Sequence, residues 1–394
     1  MDITITPTKL SGSVNAIPSK SQAHRLLICA AFSDTPTTLF CPETNQDIEA
    51  TADCLRVLGA DIQHKDGAYF ITPVTALPES AVLNCGESGS TLRFMLPVVG
   101  ALGIDATFVL FGRLPSRPLS PLWEEMCRMG CNLSRPSANT IRCTGKLTGG
   151  TYTIDGGVSS QFITGLLFAT ALMQEHAKII ITGKIESAPY IEMTHKALLQ
   201  FGVDCRNYST DGKQKLHSPG SIIVEGDWSN SAFFLTANTL GSSVNVENLD
   251  MQSPQGDRAV AELLPKLQEF CTISVADIPD LVPILSVAAC ANQGAIFTDV
   301  RRLRLKESDR VETVAAMLRA LGAHVDTDEN SMRIYPSKLT GGTVDAAGDH
   351  RIAMAAAIAA TIASGPVTIK GAQCVAKSYP IFWDEYRKLG GKYE

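Results

Sequence analysis

The 394-residue sequence is poor in aromatic side chains, at 6% of the chain, and carries no surplus of basic charge. A formal net charge of −6 excludes a large non-specific nucleic-acid surface. A local basic pocket stays compatible with that sum, which says nothing about clustering. No apolar run is long enough to span a bilayer. The longest lies within IAMAAAIAATIA at 352–363, is alanine-rich, and predicts a buried helix. The opening MDITITPTKL has no basic segment leading into an apolar one, so no signal peptide is expected. The eleven cysteines contain no C-x-x-C pair, their number is odd, and Cys29 and Cys290 sit among apolar neighbours. They predict reduced thiols in a cytosol, packed as small hydrophobes. Also missing are the G-x-x-x-x-G-K-[ST] loop, a G-x-G-x-x-G after a strand, and H-E-x-x-H. The seven histidines are dispersed, so no metal site is expected.

Length and repetition are what the sequence does have. A chain of this size exceeds one ordinary core, and two domains are expected. A helix tail, a glycine stop and a strand recur as LRVLGADIQ (55–63), EMCRMGCNLS (125–134), ALLQFGVDCR (197–206), MLRALGAHVD (317–326) and EYRKLGGKYE (385–394). LLPKLQEFCTIS (263–274) is a version without the glycine. Glycine there suits the left-handed helix cap. Ahead of each copy stands a second piece, in which small polar residues open an apolar helix. Its six openings are SKSQAHRLLICAAF (19–32), GESGSTLRFMLPVV (86–99), SSQFITGLLFATAL (159–172), DWSNSAFFLTANTL (227–240), IPDLVPILSVAACA (278–291) and GDHRIAMAAAIAAT (348–361). Strand-like segments such as TTLFC, ATFVL, KIIIT, SVNVE, AIFTD and VTIKG follow them. Helices apolar nearly all round are buried. The pattern therefore predicts six β-α-β-α-β units, three per domain.

The polar openings fall where helix N-termini would be. Free N–H groups and the positive dipole end favour anions there. Capping alone explains any one opening, but several also carry Lys, Arg or His, which capping does not need. The densest charge lies in VRRLRLKESDRVETV (300–314), with Arg301, Arg302, Arg304, Lys306, Glu307, Asp309 and Arg310 within ten positions. A solvated face is the ordinary reading of such a run.

Nine motifs then stand in order. They are P-S-K-S-x-x-x-R at 18–25, G-x-S-G-S-T-x-R at 86–93, R-P at 117–118, S-S-Q at 159–161, S-x-P-Y at 187–190, I-P-D at 278–280, L-K-E-S-D-R at 305–310, D-H-R-x-A-M at 349–354 and C-x-A-K at 374–377. Over essentially its full length the chain resembles the EPSP synthase family, 3-phosphoshikimate 1-carboxyvinyltransferases. The resemblance implies an α/β fold, a two-domain inside-out α/β barrel of six repeated β-α-β-α-β-β units, three per domain, with helices buried and sheets outward. It implies a discontinuous domain of 1–14 plus 226–394 with the phosphoenolpyruvate and catalytic residues. An inserted domain of 15–225 would hold the shikimate 3-phosphate residues, the active site would lie in the interdomain cleft, and crossings would fall near 13–18 and 222–227.

The implied reaction moves the enolpyruvyl group of phosphoenolpyruvate to the 5-hydroxyl of shikimate 3-phosphate and releases phosphate, by addition and elimination through a tetrahedral intermediate. It implies no metal and no organic cofactor. By resemblance, Lys20, Arg117, Arg310, Arg351 and Lys377 would hold phosphoenolpyruvate, and Gly89 would keep the backbone close to it. Ser21, Arg25, Ser159, Ser160, Gln161, Ser187, Tyr190 and Lys306 would hold shikimate 3-phosphate. Asp280 would contact the acceptor hydroxyl as general base, Glu307 would move the methylene proton, and Lys20 would share acid–base work at the bridging oxygen. Asp309 would brace a neighbour, Asp349 would cap its helix, and His350 would stand beside the site. Arg301 and Arg304 are expected on alternate strand positions facing solvent. Two positions depart from the family's usual pattern: Glu87 and Arg302 stand where many members have Asn.

The nearest rival is the sister enzyme acting on UDP-N-acetylglucosamine. It usually has Lys-Asn where this chain has Lys20-Ser21, and a cysteine in the loop that here reads GRLPSRP (112–118). Another rival, a non-catalytic anion-binding repeat protein, explains the basic caps but not Asp280 and Glu307 among them. Expected partners are the two small-molecule substrates, with neither nucleic acid nor membrane, and a cytoplasmic monomer is the expected form.

Overall fold

A computed structural model describes residues 1–394. The chain forms two compact units, one of Met1–Ile17 with Glu225–Glu394 and one of Pro18–Val224. Each has its own apolar core and three sheets.

In both units the core is built around apolar helices that feed parallel strand pairs. The inserted unit buries the helices Lys20–Ala31, Gly89–Leu102 and Ser160–Leu172. The other buries Trp228–Thr239, Val282–Ala291 and His350–Ala360, the last with all its residues buried. In four cases the strands on either side of the helix pair with each other in parallel. An example is Ser80–Gly86 beside Asp105–Leu110 around the helix Gly89–Leu102. Parallel pairing demands such a crossover. The other two cases are exchanged. Ser11–Asn15 precedes the helix Lys20–Ala31, yet it pairs with Ser243–Glu247. Ser221–Ile223 precedes Trp228–Thr239 and pairs with Thr37–Phe40. This swap is how the chain leaves one unit and returns to it while every sheet keeps a parallel pair.

Helix ends follow from local chemistry. Gly59, Gly130, Gly202, Gly322 and Gly390 have φ of +106°, +111°, +82°, +86° and +93°, a conformation that costs glycine little. The N-termini are capped by the side chains of Ser19, Ser88, Ser159, Asp227 and Asp349. The sixth core helix, Val282–Ala291, has no side-chain cap. Asp280, just ahead of it, is thereby left for other work.

The charged stretch differs from expectation. Arg301 and Arg304 lie in a 3-10 helix, Arg301–Leu305, not on a strand. The strand Ala295–Thr298 stops at Asp299, whose φ of +63° turns the chain out of extended geometry.

Candidate functional site

In the unit containing the C-terminus, Arg310 is the centre. It opens the helix Arg310–Ala320 and is only 1% exposed. Three carboxylates meet its guanidinium. Nη1 donates to Asp280 Oδ1 at 2.5 Å, Nη2 to Glu307 Oε2 at 2.7 Å, and Nε to Asp349 Oδ2 at 2.8 Å. Asp349 is fully buried, accepts from Arg351 N as its helix cap, and also accepts from Ser308 Oγ at 3.0 Å. Two more cations face Asp280: Lys306 Nζ at 3.6 Å from Oδ1, and Arg351 Nη2 at 3.5 Å from Oδ2.

This crowding sets the protonation states. Burial works to raise the Asp280 pKa, but Lys306, Arg351 and Arg310 together hold it well below the ordinary value. Lys306 is pushed down to about 8 by burial, partly offset by Asp280 and Glu307, while Arg310 and Arg302 add to the fall. Three carboxylates therefore share one guanidinium, with the Lys306 ammonium beside Asp280, a constellation suited to carrying protons while holding anions.

Lys377 is buried at the end of the 3-10 helix Ala372–Lys377, which packs on His350–Ala360. His350 is buried as the first residue of that helix. Asp309 caps Arg310–Ala320 and pairs with Arg304 at 3.2 Å. Arg304 also meets Glu312 at 2.9 Å and the Asp328 carbonyl at 2.9 Å, so it is tied down, not solvated. Arg301 does face solvent, beside Glu329.

The inserted unit has a different cluster. Lys20 Nζ is 2.9 Å from Asp47 Oδ2. Arg25 is buried among neutral acceptors: Thr194 Oγ1 at 2.9 Å, the Tyr190 carbonyl at 2.8 Å and the Ser21 carbonyl at 2.5 Å. Its guanidinium also lies over the Phe94 ring, and burial lowers its pKa to about 10. Arg93 donates to Gln161 Oε1 at 2.9 Å and to the Pro118 carbonyl at 3.2 Å, and Gln161 Nε2 reaches Ser90 Oγ at 3.0 Å. A Cβ on Gly89 would come within 2.6 Å of Arg93 Nη1 and 2.7 Å of Arg117 Nη1. Gly89 thus makes room for two guanidinium groups.

Ser159 caps the helix that begins with buried Ser160. Ser187, at φ +58°, precedes Ala188–Gln200. Glu87 lies against Gly112, where an added Cβ would meet its carboxylate. Arg93, Asp47 and Asp257 were not among the expected site residues. Arg93 closes one of the motifs, a signal that was available; Asp47 and Asp257 have none in local sequence. No three His, Cys, Asp or Glu side chains are arranged to hold a metal ion.

The family model described as EPSP synthase (3-phosphoshikimate 1-carboxyvinyltransferase) matches residues 5–274 and 266–386. The 3-phosphoshikimate 1-carboxyvinyltransferase of Clostridium kluyveri is 37% identical over 418 residues, spanning 100% of this chain and 98% of its own. That of Clostridium perfringens is 37% identical over 417 residues, spanning 99% and 98%. Among solved structures, an EPSP synthase from Acinetobacter baumannii superposes with a TM-score of 0.81 at 24% identity, covering 100% of this chain and 99% of that one. That likeness extends to the two-domain inside-out α/β architecture.

Proposed function

The chain belongs to the EPSP synthase family, and from that premise we propose that it transfers the enolpyruvyl group of phosphoenolpyruvate to the 5-hydroxyl of shikimate 3-phosphate. The observation that carries the reading is the convergence of Asp280 and Glu307 on Arg310, with Lys306 and Arg351 beside them.

In this reading Glu307 gives a proton to the methylene carbon of phosphoenolpyruvate. The 5-hydroxyl oxygen then bonds to the adjacent carbon while Asp280 takes the hydroxyl proton. From the tetrahedral intermediate the carbon–phosphate oxygen bond breaks, phosphate leaves, and Glu307 recovers a proton from the methyl group. Lys20 stabilises charge at the bridging oxygen. An Asp280 held so acidic is a weak base in the free protein. Anionic substrates arriving at Lys306, Arg310 and Arg351 offset the cations that depress it and raise its basicity when the hydroxyl is in place. Lys20, Gly89, Arg117, Arg310, Arg351 and Lys377 serve phosphoenolpyruvate. Ser21, Arg25, Ser159, Ser160, Gln161, Ser187, Tyr190, Asp280 and Lys306 serve shikimate 3-phosphate. Arginine forks suit carboxylate and phosphate because two N–H groups meet two oxygens. A monomer working in the cytoplasm is part of the proposal; no helix is long and apolar enough to cross a membrane.

Phosphate release from phosphoenolpyruvate, measured with each acceptor in turn, tests it. Release is expected with shikimate 3-phosphate. Release with UDP-N-acetylglucosamine alone overturns the acceptor assignment.

A further inference from the structure

Beside the Arg310 cluster lies a buried carboxylate that the reaction above does not use. Asp257 stands in the 3-10 turn Gly256–Ala259 and is 2% exposed. Its Oδ2 accepts the Ser229 hydroxyl. The Ser229 carbonyl in turn accepts Arg351 Nη1 at 3.2 Å. The other arm of that guanidinium, Nη2, is 3.5 Å from Asp280 Oδ2. A chain of contacts therefore runs from Asp257 through Ser229 and Arg351 to Asp280.

Packing does not explain a carboxylate here. A buried ionisable group is costly unless charge is used. Burial pushes the Asp257 pKa up to about 6; Asp280 and Asp227 act the same way, while Arg351 and the Ser229 hydroxyl pull it down. The remaining charges nearby are occupied. Arg258 and Glu262 face each other at 4.0 Å, and Asp227 accepts from Asn230 N at 2.7 Å as a helix cap. The Arg351 guanidinium is therefore drawn by the Asp257 charge as well as by the Ser229 carbonyl and Asp280.

We propose that Asp257 is a positioning residue for the transfer reaction: as a carboxylate it draws the Arg351 guanidinium onto the Ser229 carbonyl and so locks the fork toward an anionic substrate. Taking up a proton loosens the lock. The inference rests on the reading that Arg351 holds phosphoenolpyruvate.

Asp257→Asn keeps the shape and removes the charge. With phosphoenolpyruvate and shikimate 3-phosphate, its KM for phosphoenolpyruvate should rise about tenfold, since misplaced ligand groups are costly. Its kcat should stay within about twofold, the pattern of lost uniform binding. In the wild type, kcat/KM should fall as pH drops through about 6, and that limb should vanish in Asp257→Asn. Ser229→Ala removes a hydrogen bond that favours the carboxylate, so its limb should move to higher pH. This second variant carries the test if the first does not fold.

A ligand-free readout separates this inference from the functional reading. In the wild type the NMR resonance of Arg351 Nε–H should shift with the Asp257 carboxyl titration, and in Asp257→Asn it should not. Wild-type protein that releases no phosphate fails the functional reading alone. An Arg351 resonance that ignores the Asp257 titration, or a folded Asp257→Asn with wild-type KM and acid limb, overturns the lock.

Discussion

The two units hold their buried guanidinium groups in opposite ways. Arg310 is surrounded by Asp280, Glu307 and Asp349, three carboxylates on one cation. Arg25, equally removed from water, meets hydroxyl and carbonyl oxygens from Thr194, Thr164, Tyr190 and Ser21. Neutral partners leave a cation's charge uncancelled and ready for an anion. Carboxylate partners cancel it, and in exchange place proton-carrying groups at fixed positions. The contrast suits the inserted unit to holding an anion and equips the other unit to carry protons beside its own anion-holding cations, a combination that the proposed reaction needs.

The sharpest way to break that division is Glu307→Gln. A positioned acid–base group contributes about 10²–10⁴-fold in rate. Turnover should fall by that order while calorimetric binding of both substrates persists. Near-normal turnover would remove proton work from this unit. Next comes a paired substitution. Arg310→Met strands three acidic groups and should cost about 3–5 kcal/mol. Arg25→Met leaves only neutral acceptors unsatisfied, at about 1–3 kcal/mol. Denaturant unfolding measures both, and equal losses would mean that the two environments do not differ as described.

Some of this contrast is legible in the sequence and some is not, for a physical reason. Gly59 or Gly130 can be read as a helix stop because a left-handed residue after an apolar turn has few chemical solutions. Ser159 and Asp349 can be read as caps by the same logic, and the apolar runs that follow them announce buried helices. All of these are local. Arg310 and Asp349 are 39 residues apart, and Lys20 and Asp47 are 27 apart. Which acid meets which base is decided by packing between elements, and periodicity carries no trace of it. The exchange of Ser11–Asn15 and Ser221–Ile223 is equally invisible to periodicity, since each strand looks like a neighbour of the helix that follows it; only the resemblance pointed to crossings near 13–18 and 222–227. Arg304 shows the opposite failure. Alternation placed it on a strand, whereas Asp299 had already turned the chain and Asp309, Glu312 and Asp328 hold it.

A pH titration sharpens the comparison further. Lys306, pushed down to about 8, loses its charge as pH rises through that value, whereas Arg25, lowered to about 10, keeps its charge there. If Lys306 is the weaker of these two holds on shikimate 3-phosphate, kcat/KM for that substrate should fall about tenfold per pH unit above about 8. Lys306→Arg should move the fall to higher pH, because a guanidinium stays charged. A profile flat to pH 9.5 would show that the inserted unit alone governs the binding of this anion.

The smallest expected effect concerns Gly89→Ala in the inserted unit. Its Cβ would stand 2.6 Å from Arg93 Nη1 and 2.7 Å from Arg117 Nη1, so something must move. Both atoms are the far ends of flexible side chains, and the Arg93 guanidinium touches the core only from above the Phe162 ring. Alanine also suits a helix better than glycine by up to about 1 kcal/mol. The melting temperature should therefore hold. Two displaced guanidinium groups should nevertheless grip phosphoenolpyruvate less well and raise its KM by a few-fold, with kcat nearly unchanged. Loss of folding would show that these cations are packed as rigidly as Arg310. An unchanged KM would show that their placement by Gly89 does not serve the substrate, and the inserted unit's share in holding phosphoenolpyruvate would rest on Lys20.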